Sequence, residues 1–313
     1  IPKEVTILDE ANLTFLPKSI KNPVEVENER IAHIKDGVAL TKFICWLKKN
    51  VGKIPITELS AGEKLYSFRA QQENFIDNSF DPIISYGIHA AINHYSATSE
   101  TDIAIEPGNF LLADTGGHYY EGTTDTTRTI VMGSVNDEQK KYFTAVLRGM
   151  LNLGNAKFRY GCTGVNLDYL ARGPLWEMGQ DFNHGTGHGV GYLLNVHEGP
   201  NSFRWRIIQG DNAVLEEGMI TSDEPGYYVE NQYGIRHENL LVCKKAEKTT
   251  FGQFMCFEHL TMVPFDLDAV VPELMTVQER ALLNNYHAQV YKKISPYLEE
   301  EEKEWLKEAT REI

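Results

Sequence analysis

The apolar positions of this chain follow two rhythms. From Asn22 and Pro23 onward, Ile31, Ile34 and Val38, and then Leu40, Ile44 and Leu47, recur at helical spacing through EVENERIAHIKDGVALTKFICWLKKN, which predicts a long helix with one buried face. Ser60 and Glu63 have the spacing of a capping box and predict a helix through KLYSFRAQQ. Asn136 or Asp137 is placed to cap a third through EQKKYFTAVLRGMLNLG, and a shorter one is expected from Asn166 to Trp176. The acidic tail YLEEEEKEWLKEATREI reads as a helix with a solvated face.

The second rhythm is a set of short apolar runs bounded by turn residues: PIISYG, NFLLADTGG, TRTIVMG, GMITSDEPGYYV, IRHENLLVC and MCFEHLTMV, with a further strand expected at Val5 to Leu8. Strands and helices mix without strict alternation. That order implies an α+β domain with a curved, largely antiparallel sheet backed by helices. GTGHGVG has spacing like GxGxxG, but no strand or βαβ unit precedes it, which sets a dinucleotide site aside. With no repeat and no long low-complexity linker, one domain is expected over residues 22–313.

Composition narrows the classes. The chain has 313 residues, 42% hydrophobic and 24% charged, enough for a sizeable core. No run approaches the roughly 20 apolar residues of a membrane helix and no secretory pattern opens the sequence, so a cytoplasmic protein without a membrane partner is expected. A net charge of -14 argues against a nucleic-acid partner, which would call for clustered Lys and Arg. Cys45, Cys162, Cys243 and Cys256 form no CxxC pair and read as free thiols.

The remaining acidic residues carry the chemistry. In LLADTGGHYYEGTTDTTRTI, Asp114 ends an apolar run and Asp125 begins a Thr-rich one, and a hairpin between them would bring the two carboxylates together. FNHGTGHGVGYLLNVHEGP holds His184, His188 and His197, and its glycines at 185, 187, 189 and 191 forbid a stable helix, each costing about 1 kcal/mol relative to Ala. In extended chain, residues 184, 186 and 188 would point the same way, and the glycines would let a ligand approach the backbone. Glu224 and Glu238 lie in apolar segments, where a carboxylate is costly without compensation. Arg236 shares a strand face with Glu238, but one arginine does not neutralise four converging carboxylates. Two divalent cations would, and four carboxylates with one imidazole suit Mn, Zn, Co or Fe.

The ordered set Asp114, Asp125, His188, Glu224 and Glu238, within DTGGHYYEGTTDTTRT, HGTGHGVG, EPGYY and GIRHEN, resembles the metal site of the pita-bread metallopeptidases, the family of methionine aminopeptidase, prolidase and Xaa-Pro aminopeptidase. The resemblance runs from about residue 22 to residue 300. LNVHEGP, HYS at 94–96 and CFEHLTMVPFD are most similar to the cytosolic type of Xaa-Pro aminopeptidase. That type carries two further domains before the catalytic one. The resemblance implies that neither is part of this sequence and that residues 1–21 are the end of the domain before the catalytic one.

The resemblance implies a pita-bread fold, two divalent metal ions (Mn(II), with Zn or Co as alternatives), a homodimer, and peptide substrates with proline second. It further implies a water shared by two metals and activated for attack on the first peptide bond. Asp125 would hold one metal and His188 the other, with Asp114, Glu224 and Glu238 completing or bridging the pair. Glu224 would also act as general base and acid, His197 would stabilise the tetrahedral intermediate or shuttle a proton, His94 would hold substrate, and His184 would line the proline pocket. Arg236 and Tyr228 would orient Asp114. His237, between Arg236 and Glu238, is expected to pack on the opposite face; His89 and His118 receive no role. Prolidase or methionine aminopeptidase specificity is the near alternative, and a non-catalytic binding module the distant one.

Overall fold

The computed structural model describes residues 2–6 and 12–313. Its α-helices are α1 (Phe15–Ser19), α2 (Pro23–Asn50), α3 (Glu58–Arg69), α4 (Asp137–Gly154), α5 (Tyr169–Trp176), α6 (Val277–Ile294) and α7 (Glu300–Ala309). α2 starts where Asn22 and Pro23 predict, with the Asn22 side chain accepting from the Val24 and Glu25 amides and Glu25 answering to the Asn22 amide. α4 is capped by Asn136. α3 starts earlier than its expected box: Thr57 is the cap and Ser60 takes the third helical position, each side chain bonding the other's amide. The helix expected from Asn166 opens as a 3-10 turn, Gly164–Asn166, and becomes α-helical only at Tyr169. α6 has no counterpart among the expected elements, although Thr276 and Glu279 form the capping box that marks its start.

Every strand pairing among the described residues is antiparallel. The expected sheet is segmented into five small ones. The first joins Ile83–Tyr86, Asn109–Thr115 and Thr126–Met132; another joins Ile220–Asp223, Asn239–Thr249, Gly252–His259 and Lys157–Arg159. Two expected strands are each cut in two. GMITSDEPGYYV breaks at residues 224–225, where Pro225 has no amide to donate, and IRHENLLVC breaks at 237–238. Of the strand expected at Val5 to Leu8, Val5 and Thr6 lie in no strand, and residues 7 and 8 fall outside the described residues.

Strand Asn109–Thr115 is buried on both sides. Phe110 packs with Phe143, Val146 and Met150 under α4, while Leu111 and Ala113 pack with Leu40, Phe43 and Leu47 of α2. This pattern pins the register, because a slip of one residue would carry Asp114 to the α2 side. Next to it, Thr115 accepts from the Arg69 guanidinium at 3.0 Å, and Arg69 is paired with Asp36 of α2 at 2.7 Å. Tyr119 donates to the same Asp36 at 3.0 Å. Helices α2 and α3 thus clamp the end of the strand that carries Asp114.

Candidate metal centre

A cleft of about 620 Å³ opens between the segmented sheets, and Asp114, Asp125, His188, Glu224 and Glu238 all line it. Their positions follow from the breaks. Asp125 lies in the interruption at 124–125, Glu224 in that at 224–225 and Glu238 in that at 237–238, whereas Asp114 sits within its strand. The hairpin expected between the aspartates forms, pairing Asp114 with Thr127 and Thr115 with Thr126.

His188 belongs to the short strand Gly187–His188, which pairs with Ser202–Phe203. Its Nδ1 is 2.9 Å from the Gly189 carbonyl, which can only accept, so Nδ1 carries the proton and Nε2 offers a lone pair to the cleft. Nε2 is 3.5 Å from Asp125 and 3.3 Å from Glu224. One ligand atom each from Asp125, His188 and Glu238 lie within 4.8 Å of one another. Supporting bonds hold these groups: Ser222 accepts from the His188 amide at 2.9 Å and donates to Glu224 at 3.0 Å, and Thr127 donates to Glu238 at 2.7 Å.

Arg236 donates to Asp114 at 2.6 Å and to the Tyr228 hydroxyl at 2.7 Å; Tyr228 in turn donates to His184 Nε2 at 2.9 Å. With Nδ1 bonded to the Gly185 carbonyl at 2.8 Å, His184 lines the cleft with both nitrogens engaged. Burial and the Arg236 charge hold its pKa down to about 3. His197 stacks edge-on against His188, ring centres 4.0 Å apart, and burial beside that ring lowers its pKa to about 4. His94 stands exposed at the rim. The extended alternation expected for residues 184, 186 and 188 does not hold: Thr186 is fully buried and donates to Asp168 at 2.5 Å, because only residues 187–188 are regular strand. His237 is buried and packs edge-on to Phe143 and Phe265.

The electrostatics fit a cation site. Burial, then the neighbouring carboxylates, push Asp125 and Glu238 well above the ordinary carboxylate range; burial raises Glu224 despite His188 and Arg236. Among the described residues, Arg236 is the one guanidinium bonded to any of the four carboxylates. A hard, oxygen-rich donor set short of positive charge is what divalent cations satisfy.

Arg128 escaped the sequence reading. Fully buried, it donates to the carbonyls of Thr127 and Glu238 at 2.8 and 2.5 Å and to Asn239 at 2.8 Å, tying strand Thr126–Met132 to the Glu238 break. The signal was available, since an arginine inside TRTIVMG is as anomalous as a glutamate inside IRHENLLVC.

A pH effect follows for protein stripped of metal. The folded carboxyl pKa values lie above the unfolded ones, so the folded chain binds more protons and loses stability as pH rises through the interval between them. Glu29, raised by burial to about 8, adds to the same trend. The depressed histidines act mainly below their unfolded pKa. The melting temperature in chelator is therefore expected to fall from about pH 7 to about pH 8, and to recover when Mn(II) holds the carboxylates deprotonated. A rise over that interval in chelator would contradict the reading.

The chain matches metallopeptidase family M24 over residues 27–245 and the C-terminal region of that family over residues 253–313. It is 43% identical over 303 residues to a protein of Paracoccidioides brasiliensis named "Probable Xaa-Pro aminopeptidase P", covering 95% of this chain and 49% of that protein. It is also similar to the X-prolyl aminopeptidase of Caenorhabditis elegans, described as a cytosolic enzyme with a di-nuclear active site, with a TM-score of 0.91, 37% identity, and coverage of 96% of this chain and 50% of that one. A prolidase from Pyrococcus furiosus aligns with a TM-score of 0.64 and 28% identity over 80% of this chain and 67% of that one. The architecture is thus the α+β pita-bread fold of these enzymes. The chain spans about half the length of the curated relatives it matches.

Proposed function

Because the chain belongs to metallopeptidase family M24, we propose that it removes the N-terminal residue from peptides whose second residue is proline, using a pair of divalent cations held in this cleft. The observation that carries the reading is the convergence of the His188 lone pair on Asp125, Glu224 and Glu238. Asp114, Asp125, His188, Glu224 and Glu238 would hold the cations, with Mn(II) the proposed metal and Zn or Co the alternatives. When bound, the pair would acidify a shared water and polarise the scissile carbonyl.

The side chains have separate tasks. Glu224 takes the proton of the attacking water and delivers it to the departing proline nitrogen. Arg236 fixes Asp114 and, through Tyr228, the His184 ring, so one guanidinium orients both a candidate ligand and the wall offered to proline. His197, neutral at pH 7, serves as a hydrogen-bonding partner for the tetrahedral intermediate without adding charge. His94 holds the substrate from the rim.

A cytosolic location and a homodimer belong to the same proposal. No helix among the described residues is long and apolar enough to cross a membrane. Prolidase specificity is the second reading, favoured by the similarity to the Pyrococcus protein. With Mn(II) present, the chain is expected to cleave a Xaa-Pro-Xaa tripeptide faster than a Xaa-Pro dipeptide and to leave Met-Ala-Xaa intact. Faster dipeptide cleavage would make it a prolidase, and failure on all three with no metal bound would leave a binding module.

A further inference from the structure

The segment just before α2 lies against the histidine loop. The Lys21 amide donates to the Gly218 carbonyl at 3.0 Å, and Ile20 bridges Met219, so residues 20–21 run beside the chain entering strand Ile220–Asp223 and then Glu224. The approach is close: a Cβ on Gly218 would sit 2.3 Å from the Lys21 carbonyl oxygen. The Lys21 side chain is 3% exposed. Its ammonium bonds the Val190 carbonyl, two residues beyond His188, and the Ser19 carbonyl at 3.3 Å.

Two buried acidic side chains lie near it. Glu198, next to His197, pairs with Lys18 at 3.0 Å. Glu29, wholly buried in α2, accepts from the Thr123 amide at 3.2 Å, two residues before Asp125. Burial draws the Lys21 pKa down to about 8 against the opposing pull of Glu29 and Glu198, which leaves the ammonium mostly protonated at neutral pH.

Lys21 therefore joins the loop carrying His188 and His197 to the chain that enters strand Ile220–Asp223. We propose that Lys21 is a positioning residue of the cleft, and that residues 18–21 act as a strap whose ammonium groups and backbone fix the histidine loop in register with the strand that leads to Glu224. The segment precedes the stretch that matches the family, residues 27–245, so the proposal gives part of the metal site's rigidity to chain outside it. A buried ammonium suits this position, because the Val190 and Ser19 carbonyls give it acceptors deep in the fold and spare it an unpaired burial.

The inference rests on the peptidase reading for its kinetic consequence, but its structural test does not. In the full chain, Lys21→Met keeps the apolar stem and removes the charge, while Lys18→Met removes only the half-exposed partner of Glu198. Amide hydrogen exchange should speed up about tenfold or more over residues 187–199 in Lys21→Met, less in Lys18→Met, with α6 unchanged in both. Lys21→Arg, which retains a cation, should restore much of the protection. On a Xaa-Pro-Xaa peptide, Lys21→Met should lose kcat about tenfold with KM nearly constant. Unchanged exchange over 187–199, or acceleration spread evenly into α6, would overturn the strap. Should Lys21→Met fail to fold, Lys18→Met decides by the same criterion. A wild-type chain that cleaves no Xaa-Pro peptide while the exchange pattern holds would sink the peptidase reading and leave the strap standing.

Discussion

Replacing Glu224 with glutamine is expected to lower kcat on a Xaa-Pro-Xaa peptide about a thousandfold while KM moves by less than about twofold. Glutamine keeps the volume and the oxygen that accepts from Ser222 at 3.0 Å, so the bond network from the His188 amide through Ser222 survives. What it would lose is the proposed role of accepting a proton from water and returning it to the leaving nitrogen. A weakened cation site could mimic this, so the rate is to be followed across rising Mn(II). Recovery at saturating metal to more than about a tenth of the wild-type rate would reduce Glu224 to a ligand and remove its acid-base role.

Gly187→Ala is expected to cost about 3 kcal/mol or more and to weaken cation binding between about tenfold and a hundredfold. A Cβ there would lie 1.8 Å from the Ser222 carbonyl oxygen and 3.0 Å from the Phe203 ring. Neither neighbour can yield easily, since Ser222 belongs to strand Ile220–Asp223 and Phe203 is fully buried. The strand bearing His188 must back away, breaking the 2.9 Å bond from the His188 amide to Ser222 and withdrawing Nε2 from Asp125. Denaturation in chelator reads the first effect and calorimetric titration with Mn(II) the second. Gly62→Ala in α3 is the control: its nearest neighbour would be at 3.7 Å, so a neutral or slightly stabilising result is expected. Equal behaviour of the two variants would mean that crowding at Gly187 does not govern the site.

That glycine also shows how far the sequence could be read. The four glycines between His184 and Val190 and beyond mark a tight backbone, and the sequence suggests a ligand as the reason for it. The structure supplies other segments of the same chain instead: Ser222 crowds Gly187, and the Glu198 carbonyl would lie 2.2 Å from a Cβ on Gly189. Composition reveals that space is short, not what fills it. The Asp114–Asp125 hairpin was legible because apolar runs and turn residues are local signals. Charged residues inside apolar runs flagged Glu224 and Glu238, and the same rule applied to Arg128 would have found the hub behind Glu238. The strand breaks at Glu224 and Glu238 were harder, since an apolar run does not record where its ladder partner changes. Lys21 had no local signal. A lysine in KNPVE looks like surface, and its burial depends on contacts 169 residues away.

The candidate donors come from positions 114, 125, 188, 224 and 238, three of them in gaps between one hydrogen-bonded ladder and the next. No single hairpin or helix of this chain contains a complete site. During folding the donor set can exist only after sequentially remote pieces have met, so high-affinity cation uptake comes late, as a closing seal on an assembled chain and not as its nucleus. A cation seated across those gaps would then act as a rivet between sheets, and its departure would loosen the joints before it loosens the ladders.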